Sequence, residues 1–231
     1  MNNFSNIFFD FDGTICNTAP GIFASMQKVC TYYNLPYKED TFAKMIGPSL
    51  KESFSTIFHL PENEIQNAIK IYRDFYSTEG MFLCEPYDGI IDLLNNLRTQ
   101  NKKLFIATSK PEVYTKEILK NKNLINFFDF VGGADLEEKK RVEKIDVINY
   151  VLKQNHLMQK KDSIVMIGDR NYDINGAHMA GLKAIGILWG FGNKEEFINS
   201  NADWILKTPI EVFNLLNSEK TKGDFYGNFR N

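Results

Sequence analysis

The sequence predicts an open parallel α/β sheet with a helical insertion after its first strand. Three observations carry this expectation. Short apolar runs recur along the chain, amphipathic helical stretches alternate with them, and one interval near the N-terminus holds helical patterns alone. Short runs that are apolar throughout suit strands covered on both faces, as parallel sheets require.

The first run, residues 7–9, is Ile-Phe-Phe and leads into "DFDGT", so Asp10 and Asp12 stand at its carboxyl end. Further strands are expected at 104–107, 128–131, 164–167 and 184–188, with a weaker one at 204–206. Amphipathic segments at 90–100, 112–121, 142–155, 172–180 and 211–217 supply the helices between them, joined by right-handed crossovers. The exception lies between the first strand and Tyr87. Helical patterns follow one another there at 21–33, 41–45, 50–58 and 62–76, punctuated by Pro36, Pro48 and Pro61. Four helices exceed what a single crossover needs. The expected division is a core from residues 1–15 and 86–218, a helical insert from 16–85, and a polar tail from 219–231 that frays.

With 231 residues, 43% of them hydrophobic and 24% charged, the chain suits one large domain or one domain plus a smaller one. Net charge is −2 and the basic residues are dispersed, so neither nucleic acid nor an anionic membrane is an expected partner. Asp10 and Asp12 break the N-terminal apolar stretch, which therefore reads as neither a secretory leader nor a membrane span. Cys16, Cys30 and Cys84 are odd in number and far apart in sequence, arguing against a disulfide framework and a cysteine metal site. Reduced thiols, a cytoplasmic location, a small-molecule partner and a monomer or homodimer are expected; Cys16 reads as a small hydrophobe rather than a reactive thiol.

The chemistry is concentrated at the carboxyl ends of the expected strands, where open parallel sheets bind ligands. A carboxylate in an apolar run costs several kcal/mol without a partner, so Asp10 and Asp12 need a reason. Gly13 and Thr14 begin a loop just past them. The strand at 104–107 runs into "TSKP", where Thr108 offers a hydroxyl and Ser109 is placed to cap a helix with Pro111 in its first turn. A hydroxyl beside backbone N–H groups at a helix start suits an anion. The strand at 164–167 runs into "GDRNYD", with Asp169 at the strand end and Asp173 in the next helical turn. Acids converging on one rim call for a cation. Mg²⁺ fits best, because it takes oxygen ligands and is commonly shared with a phosphate, whereas His59, His156 and His178 are too scattered for zinc. A phosphoryl group there also needs a positive charge. Spacing alone leaves Lys139, Lys140, Arg141 and Lys144 as equal candidates, or all four as a solvated helix start.

Taken in order, "DFDGT", "TSK", a downstream lysine and "GDRNYD" resemble the phosphatase branch of the haloacid dehalogenase-like hydrolase superfamily. "IGPSLKESF", "YDGI", "ATSKPEVYTKEIL" and "MIGDRNYDINGA" are similar to its phosphoglycolate-phosphatase-like and nucleotide 5′-phosphatase members, and the resemblance runs from Ile7 to about Leu216. It implies a Rossmann-like parallel core with an inserted helical-bundle cap, and Mg²⁺-dependent hydrolysis of a small phosphomonoester, phosphoglycolate-like or a nucleoside 5′-monophosphate. Asp10 would be the nucleophile and a metal ligand, forming an aspartyl-phosphate. Asp12 would protonate the leaving oxygen and then activate water, while its backbone carbonyl binds the metal. Thr108, with Ser109 and Gly13, would hold the phosphate. The register of "RVEKIDVI" favours Lys144 for neutralising charge on the nucleophile and the phosphate. Asp169 would bind Mg²⁺, with Asp173 supporting it directly or through water.

In the insert, Gly47, Ser49 and Lys51 would stand near the cleft and read the leaving group, although Ser49 and Lys51 read equally as a helix cap and a solvated charge. "LWGFGNKEEF" resembles a rim loop of these enzymes. One departure is Asn17, where relatives often carry an acidic residue. Asp12 speaks against halide displacement, since relatives with that activity lack a second aspartate in the first motif. Two other classes of function compete: a phosphosugar mutase working through the same aspartyl-phosphate, and a catalytically silent binding module. The absence of a basic cluster for a second phosphate argues against the first, and the intact Asp10, Asp12, Lys144 and Asp169 against the second.

Overall fold

The computed structural model describes residues 4–36, 46, 49–137 and 139–217. In chain order its strands are β1 Asn6–Phe9, β2 Cys16–Asn17, β3 Glu85–Pro86, β4 Lys103–Pro111, β5 Phe130–Ala134, β6 Ile164–Gly168, β7 Lys183–Ile187 and β8 Trp204–Leu206. The helices are α1 Ala19–Tyr33, α2 Leu50–Glu52, α3 Glu62–Tyr76, α4 Ile90–Thr99, α5 Glu112–Asn121, α6 Lys144–Gln154, α7 Asn171–Met179, α8 Lys194–Asn199 and α9 Pro209–Asn217.

Six strands form one parallel sheet in the order β5-β4-β1-β6-β7-β8. β1 is central, with Phe9 opposite Ile106 of β4 on one side and Ile167 of β6 on the other. Successive β1 side chains point to opposite faces. Ile7 and Phe9 pack with Leu94 and Leu97 of α4 and Val212 of α9, whereas Phe8 packs with Val147 and Val151 of α6 and Ile174 of α7. Both faces are thus covered by helices, which is why the strands read as unbroken apolar runs. The chain order 4-1-6 at the centre places a switch point beside β1, and the open-sheet rule locates a ligand there.

Helices α1 to α3 leave the sheet after β2 and return at β3, and these two short strands pair antiparallel, Cys16 with Pro86 and Asn17 with Glu85. Pro20 lies in the first turn of α1, where its missing N–H costs no helical bond. Asn34 ends that helix in the left-handed conformation, at φ 52°. The helix expected at 50–58 is regular only over Leu50–Glu52 and continues as a π turn at Ser53–Ile57. The expected helix at 41–45 and the tail at 219–231 lie outside the described residues.

Two expectations change at the sheet edge. The strand placed at 128–131 begins at Phe130 and runs through Gly132 and Gly133 to Ala134. Asp129 precedes it and accepts from the Leu104 backbone N–H at 2.9 Å, while Lys103 and Arg98 pair with the same carboxylate. The glycines hid the strand from an apolar pattern. They are needed because a Cβ on Gly133 would lie 2.5 Å from the Lys110 carbonyl oxygen. β4 extends past Ala107, pairing Thr108 with Gly133 and Pro111 with Ala134 across a register shift. Ser109 is therefore strand rather than helix cap, and α5 starts after Pro111 without a side-chain cap. The short helix α8 has no counterpart in the sequence reading.

Replacing the wholly buried Phe8 with alanine should cost about 3–5 kcal/mol. The check is the urea midpoint of unfolding, which should fall with its slope unchanged.

Candidate active site

A cleft of about 480 Å³ opens between the carboxyl ends of β1, β4 and β6 and the helices α1 to α3. Asp10, Asp12, Thr108, Ser109, Lys144, Asp169 and Asp173 all line it. Each arrives from a different local device. Asp10 follows β1 directly, and its backbone N–H continues the ladder to the Ile167 carbonyl at 2.9 Å. Asp169 follows β6, and Asp173 sits in the first turn of α7, where Asp173 Oδ2 accepts from the Arg170 backbone N–H at 3.0 Å.

Lys144 is the first residue of α6, and the Glu143 N–H donates to Asp146 Oδ2 at 3.2 Å to fix that helix start. Its ammonium is buried and reaches Asp10 Oδ1 at 2.8 Å, Asp173 Oδ1 at 2.7 Å and the Ala107 carbonyl at 3.2 Å. The loop before α6 decides which basic residue can do this. Asp135 accepts the backbone N–H groups of Lys139, Lys140 and Arg141 at 2.9, 3.0 and 2.8 Å. Lys139 pairs with exposed Glu137, and Arg141 spreads over Tyr150 while donating to the Gly133 carbonyl. Of the four basic candidates, Lys144 alone lines the cleft.

Carboxylate oxygens of Asp10, Asp169 and Asp173 lie within 4.8 Å of one another, and all three residues are buried. Three carboxylates against one ammonium leave a surplus of negative charge in a region shielded from water. The titration behaviour expresses it. Burial, then Asp173 and Asp10, push the Asp169 carboxyl well above the ordinary range. Burial and then Asp10 raise Asp173 to about 6, against the pull of Lys144. Burial works against the charged form of Lys144, but Asp10 and Asp173 outweigh it and raise its pKa. A hard cation with oxygen ligands would relieve this surplus, and an all-carboxylate donor set fits a metal of that class.

Asp169 is held from three directions. Thr14 Oγ1 donates to Oδ1 at 3.3 Å, the Phe191 backbone N–H donates to Oδ2 at 2.8 Å, and Gly13 packs against it. Gly13 has φ +75°, and a Cβ there would fall 2.1 Å from Asp169 Oδ2, so glycine is required on both counts. Gly13 thus supports an acid of the cluster, and its own backbone N–H donates to the Cys16 carbonyl at 2.9 Å. The "LWGFGN" segment performs a matching service from the other side, since Trp189 Nε1 donates to the Thr14 carbonyl at 3.1 Å.

The cap-side expectations divide. Ser49 lines the cleft, and its Oγ also caps α2 by accepting from the Glu52 N–H at 3.2 Å. Lys51 points elsewhere: it is half-exposed, pairs with Glu62 at 3.0 Å and does not line the cleft, because its helix turns it toward solvent. Gly47 lies outside the described residues. Cys16 is buried, and its hydrogen bond with Cys84 together with burial raises its thiol pKa far above the ordinary range, so it is no nucleophile.

Two cleft residues escaped the sequence reading. Lys110, third residue of "TSK", binds both oxygens of Asp12 at 3.0 and 3.1 Å. Its motif was visible, but a lysine at a strand end reads as solvated until its partner is known. Arg170, inside "GDRNYD", donates to the Ile46 carbonyl of the helical insertion and to Glu196 at 3.0 Å. No local signal announces that contact.

A family model described as haloacid dehalogenase-like hydrolase matches residues 7–187. The tyrosine-protein kinase PtkA of Mycobacterium tuberculosis is 33% identical over 207 residues, 89% of this chain and 67% of that protein. A 5′-nucleotidase of Pseudomonas aeruginosa is 32% identical over 196 residues, covering 84% of this chain and 86% of that one. Among solved structures, a predicted phosphatase from Clostridium acetobutylicum is 36% identical, with a TM-score of 0.86 over 92% of this chain and 98% of its own.

The raised acids fix the sign of a pH effect. An Asp173 whose folded value is about 6 rather than 3.8 favours the protonated folded state, so its contribution is full below 3.8 and is lost as pH rises through 6. A divalent cation competes for the ionised form. Added Mg²⁺ should therefore raise the unfolding temperature more at about pH 7.5 than at about pH 5, and thermal melts in chelator and in excess Mg²⁺ check this.

Proposed function

The chain belongs to the haloacid dehalogenase-like hydrolases, and from that premise we propose that it is a Mg²⁺-dependent phosphatase acting on a small phosphomonoester through an aspartyl-phosphate on Asp10. The observation that carries the reading is the buried Lys144 bridge between Asp10 and Asp173, beside Asp169 and on the same cleft as Asp12 and Thr108. Asp10, Asp169 and Asp173 would hold the metal, together with the Asp12 backbone carbonyl that the family resemblance implies. When bound, Mg²⁺ supplies positive charge for the phosphoryl oxygens.

The chain's own residues do the rest. Lys144 holds one Asp10 oxygen, orienting the carboxylate so that the other attacks phosphorus. The bond from phosphorus to the leaving oxygen breaks as the Asp10 bond forms, and Asp12 gives that oxygen a proton. Asp12 then takes a proton from the water that attacks the aspartyl-phosphate, releasing phosphate and restoring Asp10. Thr108, buried within β4 beside Ser109, holds a phosphoryl oxygen. Lys144 offsets charge on both partners throughout.

Residues 16–85 act in this reading as a cap over a core from 1–15 and 86–218, with the paired β2 and β3 as its neck. Closure keeps bulk water from the aspartyl-phosphate. The leaving group faces Ile22 and Met26 of α1, Tyr72 of α3 and Tyr114 of α5. An apolar and aromatic wall of this extent suits a nucleoside better than glycolate, and the 5′-nucleotidase relative supports the same choice.

The test is phosphate release from nucleoside 5′-monophosphates, phosphoglycolate, sugar phosphates and an aryl phosphate, with and without Mg²⁺. Metal-dependent release that falls at least about 1,000-fold in Asp10→Asn is expected, since that change removes the nucleophile. Release that persists in Asp10→Asn would overturn the mechanism, and phosphoryl migration on adding a sugar bisphosphate would replace hydrolase with mutase.

A further inference from the structure

Lys110 lies at the end of β4, two residues past Thr108, and its side chain is only 5% exposed. An ammonium so placed costs several kcal/mol unless it is paired. Three contacts converge on the residue. Its backbone N–H donates to Thr108 Oγ1 at 3.2 Å. Its Nζ donates to Asp12 Oδ1 at 3.0 Å and Oδ2 at 3.1 Å. The same Nζ stands 4.6 Å from the centroid of the Tyr76 ring, which belongs to α3 on the opposite wall of the cleft. Tyr76 is itself fixed, stacked on Tyr72 at 5.3 Å and edge-on to Tyr114 at 5.6 Å.

We propose that Lys110 is a positioning residue that aims the Asp12 carboxyl at the leaving oxygen, and that the Tyr76 ring ties this aim to the position of the helical insertion. The inference rests on the phosphatase reading. Asp12 stands two residues from Asp10, yet its carboxylate pairs with Lys110 rather than joining the buried acid cluster. An ammonium shared by both carboxylate oxygens fixes the plane of the group as well as its distance. Asp12 is 20% exposed even when paired, and without Lys110 its carboxylate would be free to turn toward water. In the proton-transfer step one Asp12 oxygen carries the proton that moves to the leaving oxygen, while the other accepts from Lys110. The ring of Tyr76 offers its negative face to the ammonium, a contact that strengthens as water is excluded. Aim is therefore complete only when α3 is seated against the core, so that the proton donor is set when the site is closed.

Leaving-group chemistry separates this role from a structural one. A nitrophenolate departs readily without a proton, whereas an alkoxide does not. The experiment compares kcat/KM, which reports the steps through leaving-group departure, for p-nitrophenyl phosphate and an alkyl phosphomonoester in four proteins: wild type, Lys110→Met, Lys110→Arg and Tyr76→Leu. Lys110→Met should lose about 100-fold on the alkyl ester, the range of general acid catalysis, and less than about 5-fold on the aryl ester. Lys110→Arg should recover part of the alkyl activity. Tyr76→Leu should show the same asymmetry in weaker form. Retained aryl activity demonstrates an intact fold within the same assay, and should Lys110→Met fail to fold, the arginine and Tyr76 variants carry the comparison. Equal losses on both esters, or none, overturn the inference while leaving the phosphatase reading in place. A wild-type enzyme inert toward both esters overturns that reading and this inference with it.

Discussion

The Lys144 ammonium, 2.8 Å from Asp10 and 2.7 Å from Asp173, is the interaction on which the rest of the site depends. Three buried carboxylates could not share this volume with no cation among them, because each would carry the full cost of desolvation beside like charge. Lys144 offsets part of that cost and leaves part, and the part left over is what makes the cluster receptive to a metal. Stability and function pull in opposite directions here. A site neutral without its cation would be more comfortable and less able to bind one.

Much of the surrounding structure serves to hold that unfavourable charge in place. The sheet brings Asp10 and Asp169 to adjacent strand ends, and pairing of Phe9 with Ile167 fixes their relative height. Gly13 gives Asp169 room, Thr14 and the Phe191 N–H supply it with donors, and the Arg170 N–H does the same for Asp173. Asp135 gathers three backbone N–H groups and so folds the loop that delivers Lys144 at the start of α6. Each of these groups fixes the direction of a member of the acid cluster or of Lys144.

The opposite wall works by different physics. It is apolar and aromatic, built from α1, α3 and Tyr114. Among the described residues Lys110 links Asp12 to the Tyr76 ring across the cleft, and Arg170 donates to the Ile46 carbonyl.

The sequence by itself determined the parallel α/β class, the first strand with its two aspartates, and the strand-end position of Asp169, because apolar runs and the polar residues ending them are local patterns. It also determined the helical insertion and, through resemblance, favoured Lys144 among four basic neighbours. Tertiary structure decided the rest. Gly132 and Gly133 stand in strand β5, where the Val151 side chain and the Lys110 backbone leave no room for a Cβ, and Ser109 became strand beside them. Lys51 was drawn to Glu62 on the surface, while Lys110 was buried against Asp12, a partner 98 residues away. A lysine's chain pattern is the same in both cases. Only the partner across space determines whether its charge is solvated or buried, and no local stretch of sequence contains that partner.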